Sequence, residues 1–264
     1  MDIDNFYTGV SSDVDEYRSR FMGASWFEDV KGLNVMIIGC GGIGSHAALQ
    51  VSRLGIERIT FIDMDSVNAE NMSGQLFYAG CIGRPKSDCC VEIAETYSGT
   101  TLTSGYCMTA EEYFGRTAQI NSDIIILALD SITVRKHVIE ALEYRRYEGY
   151  IIDARLGFND MQVFTVKRGT TEYGIYNTYA LFNQSEAEEL VCTMKQTTYM
   201  AAICGGFIAN VIPHIVLSVK YEKNFVPFEI EYSGISMMAK RVTAEEFKSA
   251  KINQKKEKEE VKDV

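Results

Sequence analysis

The stretch from Leu33 to Asp65, LNVMIIGCGGIGSHAALQVSRLGIERITFIDMD, decides the fold of this chain. Val35 to Ile38 is a short apolar run of strand type, and Gly39-Cys40-Gly41-Gly42-Ile43-Gly44-Ser45 is glycine-rich. Ile43, Ala47, Ala48, Val51 and Leu54 then recur at helical spacing until Gly55 stops the pattern. The sequence therefore predicts strand, tight turn, helix. In such a turn Gly39 permits the bend, Gly41 and Gly42 let a phosphate approach the backbone, and Gly44 allows close contact between helix and sheet. The free N–H groups at the start of the helix attract the anion. A second strand, Arg58 to Ile62, ends on Asp63, close to the offset of about 20 residues at which an acidic residue meets a ribose hydroxyl. This is a nucleotide site; the loop by itself does not say which nucleotide.

Outward from that unit, a polar loop follows Asp63, and Gly83 with Pro85 closes it before a helix from Lys86 to about Tyr97. A long loop at the carboxyl end of a parallel strand is where such sheets place ligands. Leu102 to Cys107 reads as a third strand. Asp123 to Leu129 is a continuous apolar run, as in a strand buried on both faces, and it ends on Asp130. A helix from Ile132 to about Tyr147 and a strand Tyr150 to Asp153 complete an α/β, doubly wound, mostly parallel, Rossmann-like sheet. From Arg155 the pattern changes. Met161 to Val166 alternates as a strand, Tyr173 to Phe182 is aromatic and read as extended, and 183–196 is a polar crossover loop containing Cys192. Phe225 to Tyr232 reads as the final extended stretch. The domain reading is an N-terminal helical segment over 1–32, one domain over 33–238, and a charged tail over 239–264, a frayed helix or a disordered segment. In the first segment the plain reading is a solvated helix that packs Tyr17, Phe21 and Trp26 on the sheet.

Composition narrows the function. A net charge of -10 and a pI near 4.9 argue against unspecific affinity for nucleic acid or anionic membranes. Seven cysteines, an odd set with no C-x-x-C pair, and an N-terminus without an apolar signal segment point to a reducing cytoplasm and no structural zinc. Met200 to Val219 carries no formal charge over about the length of a membrane span, but Gly205, Gly206, Asn210, Pro213 and His214 suit a helix crossing a crowded core. His46, His137 and His214 form no spaced set with acids or cysteines.

Several separated elements, in order, resemble the ThiF/MoeB-like adenylyltransferases, the group that includes ubiquitin-activating-type enzymes. They are GCGGIGS at Gly39, the pair Asp63 and Asp65, Asn71 and Gln75 in NMSGQ, GRPK ending at Lys86, LALDS at Asp130, and CTMK at Cys192. The resemblance covers roughly Arg20 to Val219. It implies ATP as the nucleotide, Asp63 on its ribose, Asp65 and Gln75 in the nucleotide site, Asn71 near the phosphates or ribose, and Lys86 on the phosphates. Asp130 would hold Mg2+ near the reacting centre. The implied activity is adenylation of the C-terminal carboxylate of a ubiquitin-like or sulfur-carrier-like protein, with transfer to Cys192 as a second step. A homodimer is implied, with Arg20 entering the partner's site. Where the family has N-L-x-R-Q, this chain has Gly74 in place of the arginine; losing a phosphate-binding guanidinium costs transition-state stabilisation unless Arg84, Arg20 or Arg53 substitutes. Two other readings stay open: a non-catalytic member that binds nucleotide or a partner protein, and a nicotinamide-dependent dehydrogenase, which the turn would serve equally well.

Overall fold

The computed structural model describes residues 19–21, 23–98, 102–181 and 197–262. Helix α1 (Phe27–Lys31) leads into β1 (Asn34–Ile38), the glycine turn and α2 (Gly42–Arg53). Then come β2 (Arg58–Ile62), two short 3-10 turns (Ala69–Ser73, Ala79–Cys81), α3 (Lys86–Ser98) and β3 (Leu102–Tyr106). Helix α4 (Ala110–Arg116) precedes β4 (Ile124–Leu127), α5 (Ile132–Tyr144) and β5 (Tyr150–Leu156). The remainder is β6 (Asp160–Lys167), α6 (Thr171–Ile175) running into a π turn (Tyr176–Ala180), α7 (Thr198–Tyr221), β7 (Glu229–Ser233), β8 (Met238–Val242) and α8 (Ala244–Lys262).

All eight strands form one sheet in the order β3-β2-β1-β4-β5-β6-β7-β8. β3 to β5 pair in parallel, and β5 to β8 pair antiparallel. Side chains alternate across this sheet into two cores. Val35 and Ile37 of β1 join one core with α2, α3 and α7, whereas Met36 and Ile38 join the other with α4, α5 and the α6 turn. With both faces covered, the parallel strands carry apolar residues at nearly every position, which is why β4 reads as an unbroken run.

The 24-residue helix α7 is long and apolar enough to cross a membrane by length and composition, yet Met200, Cys204, Ile208, Val211, Ile212 and Ile215 are buried against the sheet and α2. Gly205 makes that crossing close: a Cβ there would meet the His46 backbone carbon at 2.9 Å.

Three expectations are corrected. Residues 173–180, read as extended, are helical, because Thr170 Oγ1 accepts the Tyr173 N–H at 3.2 Å and Tyr173 and Tyr176, three apart, bury on one face. The stretch from Phe225 pairs only from Glu229 onward, after Pro227, and it is not the last strand. Residues 239–262, read as a tail, supply most of β8 and all of α8. Val242, Ala244 and Phe247 are buried there, and Phe247 packs edge-on to Phe164 with centroids 5.3 Å apart. At the other end Phe21 packs on Trp26 and Phe27, and Trp26 packs against the core; Tyr17 and Arg18 lie outside the described residues.

Candidate nucleotide site

The turn sits at the carboxyl ends of β1, β2 and β4. Gly39 has φ +92, and a Cβ there would lie 2.5 Å from the Ala128 carbonyl oxygen, so only glycine fits between the strand ends. Gly44 is tighter still, since its Cβ would meet the Gly39 oxygen at 1.8 Å. Gly41, by contrast, has room: the nearest atom to its ideal Cβ is Gln75 Nε2 at 4.0 Å. Helix α2 begins there with Gly41 as its N-cap and no side chain capping its first N–H groups. Open space above an uncapped helix start is a ready anion site.

Asp63 closes the turn from β2. Its Oδ2 accepts the Cys40 N–H at 2.6 Å and its Oδ1 the Asp65 N–H at 2.8 Å. Burial pushes its carboxyl pKa up against the pull of these two N–H groups and of Lys86. The carboxylate is thus first a brace between strand end and turn, with lone pairs left over for a ribose hydroxyl. Lys86, the first residue of α3, is nearly buried, with its side chain 9% exposed, and its Nζ lies 2.8 Å from Asp65 Oδ2. Asp65 therefore holds the lysine rather than standing free for the nucleotide.

Asn71 Oδ1 accepts the Asn68 N–H at 2.8 Å and so shapes the loop. Leu76 N–H donates to Ser45 Oγ at 2.9 Å, tying that loop to α2. Gln75 Oε1 is buried and has no hydrogen-bond partner, beside the open ground over Gly41. An orphaned polar atom next to an uncapped helix start fits a nucleotide. Asp130 stands exposed just past β4, before the Ser131 cap of α5. Among the described residues no three His, Cys, Asp or Glu side chains are grouped for a metal ion. A lone carboxylate suits Mg2+ only with phosphates completing the shell.

Arg20 is exposed on a 3-10 turn, and the chain after it is anchored far from the glycine turn. Lys220, at the end of α7, donates to the Ser25 carbonyl at 2.8 Å and to Asp29 at 2.7 Å. Asp29 and Lys220 line a cavity of about 930 Å³ together with Leu33, Asp123 and Tyr150, at the amino ends of β1, β4 and β5. That is the wrong end of a doubly wound sheet for its nucleotide. Cys192, Lys195 and the crossover loop 183–196 lie outside the described residues. Of the other six cysteines five are buried, and Cys107 is exposed just past β3. Burial raises the Cys40 thiol pKa and takes Cys204 to about 12, so neither is a nucleophile.

Sequence reasoning missed a buried charge network beside the site. Arg135 of α5 pairs with Asp153, donates to the Leu127 carbonyl at 3.3 Å and the Ala154 carbonyl at 2.9 Å, and also bonds the Leu129 carbonyl. Arg155 Nη2 reaches Asp153 Oδ2 at 2.6 Å, and the Tyr176 hydroxyl donates to the same oxygen at 2.9 Å. The guanidinium of Arg135 thereby fixes the end of β4 that carries Asp130. The available signal was Asp153 and Arg155 inside the otherwise apolar strand YIIDARL.

A Rossmann-like sheet with a glycine turn, an uncapped helix start and a buried lysine defines a nucleotide-binding α/β protein. The ThiF family model matches residues 15–257, and the chain belongs to that family. Among curated relatives, SUMO-activating enzyme subunit 2 of Dictyostelium discoideum is 28% identical over 119 residues, 44% of this chain and 18% of that protein. The tRNA threonylcarbamoyladenosine dehydratase of Bacillus subtilis is 29% identical over 121 residues, 45% of this chain and 48% of its own length. The chain thus spans less than half of either relative. Among solved structures, E. coli MccB with ATP superposes with a TM-score of 0.63 at 17% identity over 82% of this chain and 65% of MccB. The microcin C7 biosynthetic enzyme MccB with N-formylated MccA gives 0.68 at 18% identity over 89% and 72%.

Proposed function

We propose that this chain is an ATP-dependent adenylyltransferase that activates the C-terminal carboxylate of a ubiquitin-like or sulfur-carrier-like protein or of a peptide. The observation that carries the reading is the gathering of an uncapped helix start, buried Lys86 and exposed Asp130 around one opening at the strand ends. Adenylation builds negative charge on the α-phosphorus and on departing pyrophosphate as the carboxylate oxygen attacks. The N–H groups of α2 and the ammonium of Lys86 oppose that charge. Asp63 orients the ribose, and Asp65 keeps Lys86 aimed. Mg2+, held by Asp130 together with the phosphates, would neutralise the charge that one lysine leaves. Membership in the family and the ATP-bound MccB structure support this reading.

Gly74 asks where the missing guanidinium comes from. Arg53 sits at the far end of the 12-residue α2, about 15 Å from the turn along the axis. Arg84 is already paired with Glu92 at 2.6 Å. That leaves Arg20, which has no hydrogen bond or ion pair to the site within this chain among the described residues, so our proposal includes a homodimer in which the partner supplies it. Acyl transfer to Cys192 and residence in a reducing cytoplasm belong to the same proposal. A nucleic-acid substrate fits the net charge of -10 less well.

Thermal unfolding with ATP and Mg2+, with NAD, and with neither tests the reading. ATP at about 100 times its Kd should add about 2.7 kcal/mol, and Lys86→Met and Asp130→Ala should each remove most of that gain. A shift with NAD alone overturns the proposal. ATP binding without pyrophosphate exchange in the presence of carboxylate acceptors would favour the non-catalytic reading that Gly74 motivates.

A further inference from the structure

The antiparallel half of the sheet ends in an open edge. Among the described residues β8 pairs with β7 alone, and the backbone groups on its outer side meet no other described strand. Four of its five residues, Met238 to Arg241, are exposed, and Ile235 and Met237 stand out from the hairpin before it. Helix α7 does not close over this edge. Between them lies a depression of about 190 Å³ with apolar walls of Phe207, Val211, Phe225, Pro227 and Ile230, Ala239 at its lip, and a polar rim of Asn210, His214, Lys240 and Arg241, whose Nη2 donates to the Phe225 carbonyl at 3.3 Å. The surroundings are basic in an acidic protein. From Met238 to Lys256 the side chains include Lys240, Arg241, Lys248, Lys251, Lys255 and Lys256 against Glu245 and Glu246, with Glu231 across the hairpin from Lys240, whereas the whole chain carries -10.

Charge alone would be an ordinary way to keep an edge from pairing. An apolar socket beside that edge does the opposite, since it rewards an added strand for one large side chain. We propose that β8 is a docking edge for an extended acidic segment of a partner protein. That segment adds as a ninth strand, seats one apolar side chain in the depression, and sets its carboxylates against Lys240, Arg241 and the first turns of α8. Main-chain hydrogen bonds would supply affinity, and the socket and the charges would supply selection. The proposal uses none of the nucleotide-site assignments.

The test is a titration of the full chain with a fluorescein-labelled eight-residue peptide of alternating glutamate and valine carrying one central phenylalanine. The same peptide with lysine for glutamate, and one with serine for phenylalanine, serve as controls. Saturable binding of the acidic peptide, with slowed amide exchange over 238–242, is expected. Lys240→Glu with Arg241→Glu should weaken it by about tenfold or more and favour the lysine peptide instead. An unchanged thermal midpoint of the double variant shows that the fold is intact. Ala239→Phe, which fills the socket and leaves the charges, should weaken the phenylalanine peptide and spare the serine one. Absence of binding, or binding indifferent to both variants, overturns the proposal. So does a wild-type dimer that sediments as a monomer once Lys240 and Arg241 are reversed, since the edge then belongs to a second copy.

Discussion

The parallel half of the sheet, β1 to β4, and the antiparallel half, β5 to β8, bury their interiors in different ways. In the first, Ile37, Phe61 and Ile126 are fully buried, glycines let strand ends and the α2 start crowd together, and the side-chain polar contacts of Asp63 and Lys86 gather at the strand ends. In the second, Asp153 and Glu229 are each fully buried, and Arg135 is 3% exposed, in the same interior as Phe164 and Tyr176. An aliphatic interior tolerates local change at the cost of the lost contacts. A charged interior does not, because removing one partner strands another ion away from water. The nucleotide turn is therefore placed by shape, and the ground under Asp130 by paired charge.

That contrast can be broken most directly at Asp153. Asp153→Ala leaves Arg135 and Arg155 without their carboxylate and should cost about 3–5 kcal/mol in denaturant unfolding. A loss below about 1 kcal/mol would mean that the network is incidental. In the parallel half the counterpart is Gly44→Ala, whose added methyl has no room beside the Gly39 oxygen. Its expected cost is about 1–3 kcal/mol together with loss of the ATP-dependent thermal shift. Retention of that shift would separate the turn's shape from nucleotide binding.

Glu229 sharpens the comparison through pH. Its Oε1 accepts from Gln162 Nε2 at 2.7 Å and its Oε2 has no partner. Burial, with Glu231 alongside and against the pull of Lys251 and Arg155, pushes its pKa up to about 7. The folded state therefore holds this proton more tightly than the unfolded chain does. The contribution is fully present below the unfolded value, falls as pH rises, and is lost once pH passes about 7. Glu229→Gln should remove that slope and raise stability at pH 8 by roughly 1–3 kcal/mol, as read from unfolding at pH 5 and pH 8; an unchanged slope would place the titration elsewhere. The smallest effect is expected at the rim. Thr243→Ala removes the cap of α8, whose Oγ1 accepts the Glu246 N–H at 3.3 Å, and should cost about 1 kcal/mol. No change in midpoint would mean that α8 contributes little to the fold.

The helix that sequence reasoning passed over, α4, and the one it left between a frayed helix and a disordered tail, α8, begin with the same four residues. Thr109-Ala-Glu-Glu112 opens α4 and Thr243-Ala-Glu-Glu246 opens α8, each with threonine and glutamate exchanging bonds with the other's backbone N–H. The signal was present, but α4 spans only seven residues and α8 is mostly charged beyond Phe247, so neither shows an apolar stripe long enough to register. Tyr173 and Tyr176 failed for a related reason: an aromatic cluster reads as strand until a cap and a three-residue spacing are weighed.

What the sequence by itself determined was the parallel half and its glycine turn. Strand, glycine turn, helix and Asp63 are neighbours along the chain, so local spacing encodes their geometry. The pairing of Asp65 with nearly buried Lys86, the three-way hold on Asp153 and the open β8 edge were decided only by tertiary structure. Apart from Arg155, two residues from Asp153 on β5, the partners lie 18 or more residues apart or in different strands, and whether a charge is braced, buried or left at an edge depends on what the folded sheet brings against it.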